Sequence, residues 1–188
     1  MRSPFYFIVR PVGGSRYNNT KDVGGIDLVV SASEEDHKAS NRYAEVIEVP
    51  TDHDGTIRKG DTLLVHHNVF KFYNDVKGRR KSGRSFIMDD RFLLEPDQFF
   101  MFKRDGEWHP YDRYCFVEPV PPTESYIFKP ITEEPLMAKM VYPNEYLMRN
   151  GVMAGDTVCF TPDSEYEFDV DGRKLYRMFD HQITMKLN

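Results

Sequence analysis

The chain has 188 residues, enough to bury a real core as one domain or two small ones, and its 40% apolar and 14% aromatic content argues for a folded protein with many strands. A net charge of −5 disfavours nucleic acid as the main partner. No apolar run approaches the roughly 20 residues of a membrane span, and the N-terminus lacks a signal-peptide core, so the expectation is a soluble cytoplasmic protein without a membrane partner.

Residues 5–12 read as the first strand, and a long polar segment, 13–41, follows. Its pieces Gly13-Gly14-Ser15, Asn18-Asn19-Thr20, Ser31-Ala32-Ser33-Glu34-Glu35-Asp36 and Ser40-Asn41 cannot bury enough apolar area to hold one conformation. A structureless stretch of this length inside a compact domain is functional or disordered. Within it Ile26, Leu28 and Val30 alternate, so in extended backbone their side chains share a face. The segment therefore reads as a flexible arm with a short apolar bait, the plain alternative being an edge strand folded onto its own domain.

A second strand is expected over 43–49. Thr51-Asp52-His53-Asp54-Gly55-Thr56 then reads as a tight polar hairpin, with a metal site the less common explanation. A strand over 62–65 leads to His66-His67, whose rings alternation would send to opposite faces, so a shared metal ion is not expected. Residues 71–84 are basic with aromatic neighbours, which suits a phosphate-and-stacking contact with nucleic acid. In so acidic a chain the solvated hairpin tip is the better reading. Strands over 86–88 and 99–103 precede a hairpin turn at Asp105-Gly106, in the junction 103–112 where Trp108 is expected to pack one domain against the other. Cys115 and Cys159 lie in apolar strand-like runs without metal-ligand spacing; buried free thiols are expected, with a disulfide as the alternative. No segment has sustained helical periodicity, so the fold class is all-β.

The chain also matches itself. Phe7-Ile8-Val9-Arg10-Pro11-Val12 corresponds to Cys115-Phe116-Val117-Glu118-Pro119-Val120 at an offset of 108 residues. Ala44-Glu45-Val46-Ile47 corresponds to Ala138-Lys139-Met140-Val141 at an offset of 94, and Lys59-Gly60-Asp61-Thr62 to Ala154-Gly155-Asp156-Thr157 at 95. Leu94-Glu95-Pro96-Asp97-Gln98-Phe99-Phe100-Met101 corresponds to Met178-Phe179-Asp180-His181-Gln182-Ile183-Thr184-Met185 at 84. Four blocks in one order point to a tandem duplication. The falling offset says that the second copy has lost 14 residues where the first carries the arm, and 11 where the first carries the basic stretch.

Gly24-Gly25-Ile26-Asp27-Leu28, set between the strands 5–12 and 43–49, resembles the mobile loop of the GroES-type co-chaperonins. That family places Gly-Gly-Ile-X-Leu at this point and docks the two aliphatic side chains in a groove of the chaperonin apical domain. Asp27 departs from the apolar residue of most bacterial members, and alternation turns it away from the groove. Lys59-Gly60-Asp61 and Ala154-Gly155-Asp156 resemble the family's Gly-Asp turn, and the fourth pair of blocks resembles its final strand. The hairpin at 51–56 takes the place of the family's roof, and its counterpart at 144–151 is more apolar, as though covered.

The resemblance implies two tandem GroES-like small β-barrels, 1–104 with a mobile loop over 15–40, and 105–188 shortened and without that loop. It implies a lid that caps a GroEL-type ATP-dependent chaperonin, host or viral, and encloses client proteins while they fold. Gly24, Gly25, Ile26, Asp27, Leu28, Val29 and Val30 would bind the chaperonin. The family's rings are heptameric, the first strand of one subunit pairing with the last of its neighbour, which implies a ring interface of Phe5, Phe7 and Val9 against Phe99, Phe100 and Phe102. No cofactor, metal or catalytic residue is implied. No nucleophile elbow, Walker loop or Cys-pair metal pattern is present, and the alcohol dehydrogenases with a GroES-like domain need a G-x-G-x-x-G unit that this chain lacks. One loop lost and no transit peptide resemble a divergent viral or bacterial member, such as a bacteriophage protein. The rival readings are a structural β-barrel oligomer, for instance a virion component, and a single-stranded nucleic-acid binder.

Overall fold

The apolar runs become strands because each is apolar on the face, or faces, that neighbouring strands cover. A computed structural model describes residues 2–17, 20–22, 27–29, 40–122 and 133–187. The chain divides into two units, Met1–Glu107 and Trp108–Asn188, beside the division after Arg104 drawn from the sequence. The first unit contains β1 (Phe7–Pro11), β2 (Thr20–Asp22), β3 (Asp27–Val29), β4 (Tyr43–Glu48), β5 (Thr62–Val65), β6 (Phe72–Asn74), β7 (Arg80–Ser82), β8 (Phe86–Met88), β9 (Arg91–Leu94) and β10 (Phe99–Arg104). After the division point β11 (Glu107–Pro110) come β12 (Tyr114–Pro119), β13 (Met137–Tyr142), the short helix α1 (Glu145–Arg149), β14 (Thr157–Phe160), β15 (Tyr166–Val170), β16 (Arg173–Phe179) and β17 (Ile183–Leu187).

The core sheet of the first unit runs β10-β5-β4-β1-β9-β8. β1 buries Phe7, Ile8 and Val9 in succession while β4 and β9 pair with its two edges. β4 shows the ordinary alternation, with Ala44 and Val46 buried. Phe7 meets Phe99 edge-on with ring centres 5.4 Å apart, and Phe70 meets Phe92 at 4.9 Å. The second unit's sheet runs β15-β16-β12-β13-β14-β17 over a core that includes Cys115, Val117, Met140, Leu147, Val158 and Phe160. Asn144 caps α1, its side-chain oxygen accepting the Leu147 N–H at 2.9 Å. A five-residue helix is too short to register as a period, which is why residues 145–149 were not expected to be helical.

The same backbone devices occur in both units at the positions the repeat pairs. A bulge falls between Ile8 and Val9 where β1 meets β4, and between Phe116 and Val117 where β12 meets β13. Gly60 donates its N–H to Val46 and Gly155 to Met140, both at 2.8 Å, with φ of 90° and 94° that favour glycine. The carboxylate of Asp61 accepts the Arg58 N–H, and that of Asp156 accepts the Met153 N–H. Gln98 accepts the Glu95 N–H and Gln182 the Phe179 N–H, each closing a short turn.

Two expectations change. The fourth repeat block is a strand, a capped turn and a second strand in each unit, because Pro96 and the Gln98 cap stop β9 before β10 begins. The sheets are antiparallel but open: among the described residues neither strand order returns on itself as a barrel requires, and edge strands as short as the three-residue β8 offer few ladder bonds for a closing seam. Trp108, in β11, donates its indole N–H to Asp171 at 2.9 Å.

Candidate functional site

The arm enters and leaves the first unit through one clamp. β1 ends at Pro11, the chain turns through Gly13 and Gly14, and Asn41 sits buried beside the turn. Its side-chain amide donates to the carbonyls of Val12 at 2.9 Å and Ser15 at 2.7 Å, while its side-chain oxygen accepts the Tyr43 N–H at 2.9 Å. Its backbone N–H donates to Arg16, and a bridge joins Tyr17 to Ser40. Every polar group of Asn41's side chain is thus used to hold two passes of chain together. Ser40 and Asn41 read as flexible flank in the sequence; both are buried, and the clamp takes in both ends of the 15–40 segment.

The neck is buttressed by a hairpin. Among the described residues β6 and β7 pair only with each other, Phe72 opposite Ser82 and Asn74 opposite Arg80. The Arg16 guanidinium lies 4.1 Å from the Phe72 ring centre and 4.7 Å from those of Phe86 and Phe92, and donates to the Ser82 hydroxyl at 2.9 Å. Arg80 lies 3.8 Å from the same Phe72 ring. Tyr17 stacks on Phe72, and its hydroxyl accepts the Phe72 N–H at 2.9 Å. Cation–ring contacts contribute about 0.5–1 kcal/mol when exposed and about 2 kcal/mol when desolvated, so a shared ring fixes neck and hairpin together. Burial pushes the Arg16 pKa down, and the nearby Arg80 charge adds to that fall.

Of the expected chaperonin-binding residues, Gly24, Gly25, Ile26 and Val30 lie outside the described residues. Asp27, Leu28 and Val29 form β3, which pairs antiparallel with β2: Thr20 opposite Val29, Lys21 opposite Leu28, Asp22 opposite Asp27. Among the described residues these two strands make a sheet of their own and join neither core sheet. Phe7, Val9, Phe99, Phe100 and Phe102 are buried in the chain's own core, while Phe5 is 72% exposed. β1 has neighbours along both edges, so its backbone is already engaged.

At 51–56 the expected polar turn is stitched by its own side chains: the Asp54 carboxylate accepts the Thr56 N–H, and the His53 Nε2 accepts the Ile57 N–H at 2.8 Å. The His66 and His67 rings do not part to opposite faces; their centres are 4.1 Å apart. β5 ends at Val65, so strand alternation no longer governs the pair, and His66 Nδ1 accepts the Asn68 N–H. Among the described residues no group of three or more His, Cys, Asp or Glu side chains is placed to hold a metal ion. Both cysteines are free thiols, Cys115 buried and Cys159 partly so. Burial pushes the Cys115 thiol up to about 12, which keeps it protonated and a poor nucleophile. Among the described residues the geometry offers a clamp that joins 12–17 to 40–43 and a basic hairpin beside it.

Comparison with protein-family models and with curated proteins found no match to this chain.

Proposed function

We propose that the chain is a co-chaperonin-type lid, built from two diverged GroES-like units, that docks on a GroEL-type chaperonin through the arm at 18–39. The observation that carries this reading is that, among the described residues, β3 pairs with β2 alone: the backbone of 27–29 is not built into the core sheet, while Asn41 clamps the arm's base. Two short strands paired with each other, between the two passes of a clamped neck, suit a segment that completes its contacts on a partner.

The energetics favour many weak arms. Two aliphatic side chains buried on a partner contribute about 1.5–3 kcal/mol each, while ordering backbone costs about 1–2 kcal/mol per residue. A single arm therefore binds poorly. Several arms on one ring gain through effective concentration, by roughly 10² to 10⁴ over one site. Weak contacts multiplied by symmetry suit a cap that must leave on each ATP cycle. With Phe7, Val9 and Phe99 spent on the core, contact between subunits in this reading falls to Phe5 and to the outer edges of the sheets, such as β8.

The test mixes the purified chain with a purified GroEL-type chaperonin and ATP or ADP. Co-sedimentation is expected, with the arm gaining protease resistance and Leu28→Asp abolishing both. A chain that stays in the supernatant, or a Leu28→Asp variant that binds like the wild type, would overturn the reading.

A further inference from the structure

We propose that the β6–β7 hairpin is a second docking element that meets an acidic protein surface on the partner that receives the arm; this inference rests on the function proposed above. The hairpin and the arm are both additions to the first unit. β8 and β9 have β15 and β16 as counterparts in the second unit, whereas β6 and β7 have none among its described residues. The two additions are also physically joined, since Arg16 and Tyr17 of the neck hold Phe72 and Ser82 of the hairpin. A partner seated on the arm thus comes up beside the hairpin.

Charge says what kind of surface would meet it. Residues 71–84 hold six Lys and Arg and one acidic side chain, in a chain whose 30 acidic residues outnumber 25 basic ones. Lys77, Arg79, Arg80 and Lys81 are all exposed. The tip is preorganised: the Asp75 carboxylate accepts the N–H groups of Lys77 and Arg79, each at 2.9 Å, and the Gly78 N–H donates to the Asp75 carbonyl at 2.8 Å. This turn holds Val76 fully exposed among cations. An apolar side chain on a turn already ordered binds at little conformational cost, and surrounding cations select an acidic rim. Stacking on nucleic acid is less well served, because the Phe72 ring is occupied by Arg16, Arg80 and Tyr17, leaving Tyr73 as the hairpin's exposed ring.

The test is the Lys77→Glu/Arg79→Glu double variant, which alters the tip and leaves the neck contacts in place. Its affinity for a purified GroEL-type chaperonin with ADP is measured across a salt series. A loss of about tenfold at low salt is expected, with a shallower salt dependence than the wild type. Val76→Asp is expected to weaken binding in the same direction. If the double variant keeps wild-type affinity and slope while Leu28→Asp abolishes binding, the hairpin inference falls and the arm stands. If the wild type does not bind the chaperonin, both fall. A labelled single-stranded oligonucleotide retained by the wild type and lost by the double variant, with chaperonin affinity unchanged, would assign the hairpin to nucleic acid and overturn the inference.

Discussion

Arg113 closes a two-point ion pair on Asp180, with Nε 2.5 Å from Oδ2 and Nη2 2.6 Å from Oδ1, and the aspartate side chain is wholly buried. Asn144 donates to the same carboxylate at 3.0 Å while its own oxygen caps α1. The residue before β12, the residue after β16 and the helix cap therefore converge on one buried charge. Burial alone pushes the Asp180 carboxyl up, but the hydrogen bonds from Arg113 and Asn144, with the Arg113 charge, outweigh it and hold the pKa below the ordinary value.

Arg113 is itself half exposed, but removing it leaves the buried Asp180 carboxylate without its cation, so Arg113→Ala is expected to destabilise the second unit and lower its urea midpoint. Trp108, the single tryptophan, lies in that unit beside Asp171 and reports its unfolding in urea. A urea midpoint unchanged from the wild type would refute the assignment.

The same carboxylate sets an acid limit. Its folded pKa lies below 3.8, so the folded state binds fewer protons than the unfolded chain, and its stabilisation is complete above 3.8. That contribution drains away as pH falls from 3.8 through the lower folded value. The urea midpoint of the Trp108 signal is expected to drop over that window in the wild type. Asp180→Asn should start lower and lose less there; parallel profiles would contradict the linkage.

Asn41→Ala removes both donors and the acceptor that clamp the arm's neck, at a cost of about 2 kcal/mol to the first unit. Limited trypsin digestion is expected to cut faster after Arg16 in the variant. An unchanged cleavage rate would mean that the bridge between Tyr17 and Ser40 suffices alone.

Ile26→Asp combined with Leu28→Asp is expected to abolish ATP-dependent co-sedimentation with the chaperonin. Because β3 lies outside the core sheets, the urea midpoint and the oligomeric state should not move. A lowered midpoint would instead place these side chains in the fold's own core.

Much of the local architecture was written in short-range pattern. Ala44 and Val46 are buried at the spacing of a one-sided strand, and the paired blocks around Gly60 and Gly155 recur with the same backbone contacts. Asp105-Gly106 marked a tight turn, and both residues take positive φ. Asp171-Gly172 carries the same signal, with φ of 52° and 78°, and would have revealed the β15–β16 hairpin. β9 and β16 were hidden because each shares a continuous apolar-looking block with the turn and strand that follow.

By itself the amino-acid order determined the all-β class, the repeated blocks and the long polar segment that carries Ile26, Leu28 and Val30, because strand period and turn chemistry act over a few neighbouring residues. Only the tertiary structure decided that Phe7, Val9 and Phe99 serve the core, that Asn41 locks the arm's neck, and that Arg16 reaches 66 residues along the chain to Ser82 on the basic hairpin. Those outcomes depend on which distant surfaces meet, and side-chain spacing within one segment carries no information about its partner.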